Sequence, residues 1–415
     1  MSKEERSWIF YDWACSAYTM TVLTVILPIF FKSYAANGIE SNLSTAYWGY
    51  ANSIATLFIA LCAPILGTIA DYKGYKKKFF NIFFALGVAS TILLIIPKEG
   101  NWFLCLVFFI ISSIGYSGSN IFYDSFLVDV TAKDKMDWIS SSGFAYGYIG
   151  STIPFIISMF FVLKPSLFGM DTIGASKLAF IITAIWWFIF TIPMIKNVHQ
   201  IHYIEPEKNP IQQSFKRLFS TLKDISSNKK IFMFLIAYFF YIDGVSTIIK
   251  MSVSYGVDVG ISSNTLIVIL LVTQFVAFPF ALLFGKLAKK FSAKKMIFLG
   301  IIIYTLVTVY AFFLQTAIQF WIMAMVVATA QGGIQALSRS YFGKIIPKER
   351  SSEFFGFYNV FGRFAAILGP LLVAIVTQMT GQSRYGVLSL LLLFIIGGIL
   401  FIRVEDENSN NKIHA

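Results

Sequence analysis

Charge is what this 415-residue chain has least of: only 13% of its residues are Asp, Glu, Lys or Arg, where soluble domains carry about a quarter. An ordinary soluble fold is thereby excluded. Cysteine is scarce too. Cys15, Cys62 and Cys105 all fall inside apolar runs without CxxC spacing, so neither a disulfide framework nor a metal site is implied. His199, His202 and His414 lie outside every long apolar run, which excludes a histidine-based catalytic or zinc centre at membrane depth. No Gly-x4-Gly-Lys-Ser/Thr phosphate loop occurs, which argues against a transporter driven by its own nucleotide hydrolysis.

What fills the chain instead is 57% hydrophobic and 17% aromatic residues, with mean hydropathy +0.72. At about 20 apolar residues per bilayer crossing, that content makes about a dozen helices and leaves no separate soluble catalytic domain. Apolar stretches bounded by polar or Gly/Pro breaks place them near 8 to 31, 45 to 70, 79 to 97, 102 to 129, 138 to 163, 177 to 195, 231 to 257, 263 to 288, 296 to 314, 318 to 345, 353 to 378 and 385 to 402. The first run is about twice as long as a signal-peptide core, so it is expected to stay in the mature protein as a span.

The net charge of +12 does not point to nucleic acid, because its placement follows topology. Alternate loops hold 25 of the 33 Lys and Arg, against five (Lys32, Lys98, Lys164, Lys177 and Arg384) on the opposite side. The basic side is expected to be cytoplasmic and to carry both termini. The expected organisation is a six-helix bundle over 1–195, a cytoplasmic linker over 196–230, a second six-helix bundle over 231–402 and a cytoplasmic tail over 403–415. Within the linker, IQQSFKRLFSTL has two readings: an amphipathic helix on the anionic leaflet, or a solvated connection.

Weak internal repeats support two related halves. GTIADYKGYKKKFF at 67–80 matches GKLAKKFSAKKMIF at 285–298 in its Gly, Ala and Lys-Lys positions; YDWACSAYTM at 11–20 aligns Asp12 and Met20 with Asp243 and Met251 of IDGVSTIIKM; and Gly143 echoes Gly356. The matches occur in the same order in both halves, as duplicated bundles would show.

GTIADYKGYKKK, after the second span, resembles the loop signature of the major facilitator superfamily, filled by Gly67, Asp71, Gly74, Lys76, Lys77 and Lys78. Its composition has physical sense as a conformational latch. Gly67 permits close helix approach, Gly74 a tight turn, and Asp71 can offer its carboxylate to the positive N-terminal end of a neighbouring helix. Lys289 replaces the acidic residue in the second half, so such a latch is one-sided.

YDWACSAY at 11–18, YDSFL at 123–127, YIDGV at 241–245, GGIQALSRSYFGKIIP at 332–347 and SSEFFGFYNVFGR at 351–363 resemble signatures of one facilitator branch, the autophagy-related vacuole effluxer-like family with its bacterial relatives. Cys15 and Val128 stand where that branch commonly has Asn and Pro. The resemblance implies an all-α integral membrane protein, twelve transmembrane helices in two pseudo-symmetric six-helix bundles, and efflux-type transport without a cofactor. Amino acids are the first expected substrates, with other small metabolites or amphiphiles behind. The first, fourth, seventh and tenth spans are implied to line the path. That places Asp12, Asp124, Asp243, Lys250, Gln331 and Gln335 on cavity-forming helices, with Tyr11, Ser16, Asn120 and Tyr123 as further substrate-cavity or coupling candidates.

Independently of resemblance, a charge at a helix centre costs about 2.5–3.5 kcal/mol on insertion scales, so it faces a cavity or a partner. Asp12, Asp124, Asp243, Lys250 and Arg363 are such groups, and both a cavity or coupling role and interhelical pairing stay open for them. Lys250 follows Asp243 on the same helical face, about 10 Å further along. Asp129 and Arg339 are read at the membrane edge, as interfacial packing. Mixed charges with Gln and Asn amides suit a zwitterion. The expected protein is a monomeric secondary transporter in the plasma membrane, in contact with lipids, taking a small-molecule substrate by alternating access, with protons as a coupling ion through Asp12, Asp124 or Asp243. A non-transporting receptor or lipid-handling scaffold on the same frame is the alternative. An intramembrane aspartyl protease is disfavoured, since YIDGV supplies no Gly-x-Gly-Asp partner.

Overall fold

A computed structural model describes residues 1–205 and 210–405; Lys208, Lys412, His414 and the rest of the tail beyond 405 lie outside them. The described chain is almost wholly helical. Eleven helices are long and apolar enough to cross a membrane, beginning with Lys3–Ala35 and ending with Ser383–Ile402. Tyr75–Leu93 opens on Lys76, Lys77 and Lys78 and then turns apolar; it completes twelve spans in sequence order, six on each side of the linker. The spans used below are the first (Lys3–Ala35), second (Ser41–Ala70), third (Tyr75–Leu93), fourth (Trp102–Val130), fifth (Met136–Leu163), sixth (Thr172–Asn197), seventh (Lys229–Asp258), eighth (Ser263–Phe291), tenth (Ala317–Ile345), eleventh (Ser351–Thr380) and twelfth (Ser383–Ile402).

The first span is a continuous helix with two widened π segments, Thr19–Val25 and Phe31–Ala35. Pro64, Pro154, Pro279 and Pro370 all stand inside helices that continue past them, as neighbouring helices in a bundle allow. Within the first half the first span packs on the fifth and sixth, and the third on the fourth. Between halves the contacts are reciprocal: the second span lies on the eleventh, and the eighth on the fifth. A glycine sits at the same place in each of these contacts. A Cβ on Gly67 would stand 2.5 Å from the Ser352 carbonyl oxygen, and one on Gly285 2.7 Å from the Ser141 Cβ.

The helix ends carry similar contacts in both halves, one position apart in the aligned repeat. Lys77 donates to the carbonyl oxygens of Met194 (2.8 Å) and Val198 at the end of the sixth span. Lys294 does the same to Ile402 (3.2 Å) and Val404 (2.5 Å) after the twelfth. A cation beside unsatisfied C-terminal carbonyls is favourable. The linker forms a helix, Pro210–Ser227, docked on the bundle. Thr221 and Ile225 are buried, and Arg217 pairs with Glu353 at 3.2 Å.

Candidate functional site

Two sets of polar residues tie the halves together. The first lies at the end of the bundle that carries the linker. Gly74 takes the left-handed conformation, φ 81°, that the turn into the third span requires. The preceding carboxylate, Asp71, is fully buried and accepts the backbone N–H groups of Ser352 (2.8 Å) and Glu353 (3.1 Å). These are free donors of the first turn of the eleventh span, where the helix dipole also favours a negative charge. Lys76, with no exposed surface, donates to Asp129 at 2.7 Å and to the Ser351 hydroxyl at 2.8 Å. Asp129 in turn accepts the backbone N–H of Ile201 and of His202. On the other side of the same end, Asp137 accepts Lys344 at 2.5 Å and the Ser340 hydroxyl at 2.6 Å. Arg350 and Thr221 converge on Glu353. In this structure the halves are therefore closed together at the linker end.

Burial pushes the Asp71 carboxyl up to about 7, against the pull of Lys76. Parting the halves would return it to water and to its ordinary acidity, so closure takes up a proton. Acid favours the closed form, and that contribution is lost as the pH rises through about 7.

The second set lies deeper. Arg339, only 4% exposed, reaches from the tenth span into the first half, 3.0 Å from Asp124 and 3.3 Å from Asp12. It also donates to the Ser140 hydroxyl (3.0 Å) and carbonyl (3.1 Å). Tyr123 donates its hydroxyl to Asp12 at 2.8 Å, and Asn359 of the eleventh span reaches Asp124 at 3.5 Å. Gly143 makes room for this: a Cβ there would sit 2.6 Å from the Asp12 carboxylate. Beside the cluster is a cavity of about 240 Å³ between the halves, lined among others by Asp124, Gln335, Arg339 and Arg363. The buried Arg363 Nε has no hydrogen-bond partner, and among the described residues no carboxylate pairs with this side chain.

The structure thus brings Asp12, Tyr123, Asp124, Gln335 and Arg363 to one place, and puts other candidates elsewhere. Tyr11 donates to Ser119 at 2.7 Å inside the first half. Asn120 donates to the Tyr116 carbonyl, Ser16 packs against Gly147, and the Gln331 side chain lies beside the Tyr148 hydroxyl. Asp243 is fully buried, accepts Thr247 at 3.3 Å and faces Gly369 of the eleventh span. Its neighbours Ile242 and Ser246 face the cavity. They share a face at i, i+4, whereas Asp243 is rotated about 100° from Ile242. Lys250 is exposed and makes no described pair with Asp243. The main correction concerns Arg339, read from the sequence as packing at the membrane edge. The tenth span has 29 residues, about 44 Å at 1.5 Å per residue, well beyond the ~30 Å hydrocarbon core, so a residue near its end can still reach the buried cluster.

Comparisons with known proteins agree with this architecture. The chain matches the family described as "Vacuole effluxer Atg22 like" over residues 1–414. It is 54% identical to the uncharacterized MFS-type transporter YxiO of Bacillus subtilis, over 99% of this chain and 96% of that protein. It is 22% identical to autophagy-related protein 22 of Vanderwaltozyma polyspora, over 98% and 91% of the two chains. Among solved structures, the MFS proton:xylose symporter XylE superposes with a TM-score of 0.72 at 10% identity, covering 97% of this chain and 96% of that one, a likeness of fold alone. The relatives are transporters and not enzymes, and the chain is a multi-pass membrane transporter with the major facilitator fold that belongs to the Atg22-like vacuole effluxer family.

Proposed function

We propose that the protein is a secondary active transporter that exports a small zwitterionic solute, an amino acid first of all, by alternating access. The observation that carries this reading is the cavity of about 240 Å³, which presents the Asp124 carboxylate and the unpaired guanidinium of Arg363. It is smaller than the ~300–1,000 Å³ of pockets for drug-sized ligands. An ammonium group suits its acidic side and a carboxylate its basic side. The Arg339 cluster holds two carboxylates for one guanidinium, which leaves a negative charge for a solute cation to meet. Proton coupling is supported by the burial that pushes the Asp71 carboxyl up to about 7 in the closed form. The basic loops support a cytoplasmic linker end, and the close similarity to a Bacillus subtilis chain supports the cell membrane as the site of action. The functional unit on this reading is one chain in contact with lipid.

The test is flux in sealed liposomes carrying purified protein, with radiolabelled amino acids and their decarboxylated amines as probes. At least one amino acid should move faster than in protein-free liposomes and respond to a pH gradient, its amine should not, and Asp124→Asn should cut the rate by tenfold or more. Absence of flux for every probe would overturn the reading. Flux indifferent to the pH gradient would remove its proton part.

A further inference from the structure

Arg339 is a residue of the second half, yet the groups that hold its guanidinium belong to the first. Asp124 and Asp12 supply carboxylate oxygens at 3.0 and 3.3 Å, and Ser140 a carbonyl oxygen at 3.1 Å and a hydroxyl at 3.0 Å. The rings of Phe144, Trp8 and Tyr123 stand 4.5, 4.7 and 5.3 Å from the guanidinium carbon. Acidic oxygens combined with aromatic faces are what recognises an organic cation, and removal from water strengthens the cation–π contribution. The receptor is also built independently of its occupant: Tyr123 fixes Asp12 through a hydroxyl donor, and Trp8 is anchored by its indole N–H on the Tyr123 carbonyl at 2.9 Å and stacks on the Tyr123 ring.

We propose that the first half carries a binding site for an alkylammonium or guanidinium group, that Arg339 occupies it in this structure as a tethered ligand, and that the cationic group of the solute takes its place when the halves part at the linker end. The exchange rests on the alternating-access reading; the site itself does not. Arg339 and the solute then compete for one receptor. A solute cation bound there stabilises the form open at the linker end, because a ligand shifts an equilibrium by its differential affinity for the two states. Without solute, Arg339 refills the site and closes that end.

The site is tested by vacating it. Arg339→Ala and Arg339→Met, the second keeping side-chain bulk without charge, are purified in detergent and titrated with guanidinium chloride or methylammonium chloride in the low-millimolar range, against potassium chloride at equal ionic strength. The expected result is a saturable rise in melting temperature with an organic cation, in at least one of the two variants. The rise should be smaller, or need a higher concentration, in the wild-type protein, where Arg339 competes for the site, and lost when Asp12→Asn and Asp124→Asn are added. No rise in either variant, an equal rise with potassium or in the wild type, or a rise that survives loss of both carboxylates would overturn the proposal. Neither measurement needs transport, so cation binding without flux in the liposome assay would leave this site standing and remove the transporter reading. Flux without cation binding would do the reverse.

Discussion

Arg339→Gln is expected to lower stability by about 3–5 kcal/mol and to abolish transport. The magnitude follows from what is left behind. Asp12 and Asp124, with side chains 14% and 15% exposed, lose the guanidinium they share, and breaking a buried pair by removing one partner costs that much because the remaining charge is uncompensated. Arg339→Lys should recover little of either property: an ammonium is a compact point charge and does not reproduce the fork that spans two carboxylates and the Ser140 carbonyl. Asp124→Asn added to Arg339→Gln should restore part of the stability, because the orphaned charge is removed, and none of the transport. Residues in one network are non-additive in this way. Thermal unfolding in detergent and liposome flux on the same preparations check both halves of the expectation. An unfolding midpoint unchanged by Arg339→Gln would mean that the cluster does not act as one electrostatic unit.

The second large effect is expected at Gly67. Its missing Cβ would lie 2.5 Å from the Ser352 carbonyl oxygen and 3.0 Å from the Glu353 Cα. These are backbone atoms at the start of the eleventh span and cannot swing aside as a flexible side chain would. Gly67→Val must therefore hold the second span away from the eleventh, and with it move Asp71 off the N–H groups of Ser352 and Glu353. Overpacking costs about 1–3 kcal/mol. Paid only by the closed form, that shifts the closed-to-open equilibrium about 5- to 150-fold. Transport should fall by a similar factor if closure at this end limits turnover, with the protein still folded by gel filtration. Gly285→Val, at the repeat-related contact with Ser141, should act in the same direction. Full activity in both variants would contradict a cycle that passes through this closed form.

These two positions show how far the chain could be read before its structure. The spans are legible because scarce charge marks nearly every boundary: Lys73 to Lys78 and Lys286 to Lys295 punctuate the apolar runs where the helices turn, and the boundary without charge, between the ninth span (Ala293–Phe312) and the tenth, is marked by Gln315 and Thr316. Gly67, Asp71 and Gly74 are legible because a local loop needs those residue types at that spacing, whatever lies opposite. Arg339 is not legible in the same way, since its partner Asp12 is 327 residues away and nothing local announces the pairing. One signal was present. Asp124 and Arg339 each stand six residues before the ends of the fourth and tenth spans, Val130 and Ile345, so depth counting across the two halves would have set opposite charges at one level. Asp243 shows the converse limit. The alignment with Asp12 gives its depth, but the helix turns its carboxylate toward Gly369, and a repeat does not reveal which neighbour a face will meet.

On the alternating-access reading the halves rock about the Arg339 cluster, opening the linker end as the other end closes. The most direct test is a pair of spin-label distances across the halves in a chain whose three cysteines, Cys15, Cys62 and Cys105, have been replaced by Ala. One pair, Lys133→Cys with Glu349→Cys, spans the linker end; the other, Lys98→Cys with Gln382→Cys, spans the opposite end. Without solute the first distance should be short and narrowly distributed. A transported amino acid should lengthen it while shortening the second, and Gly67→Val should do both without solute. Two distances that stay fixed, or that grow and shrink together, would contradict the account.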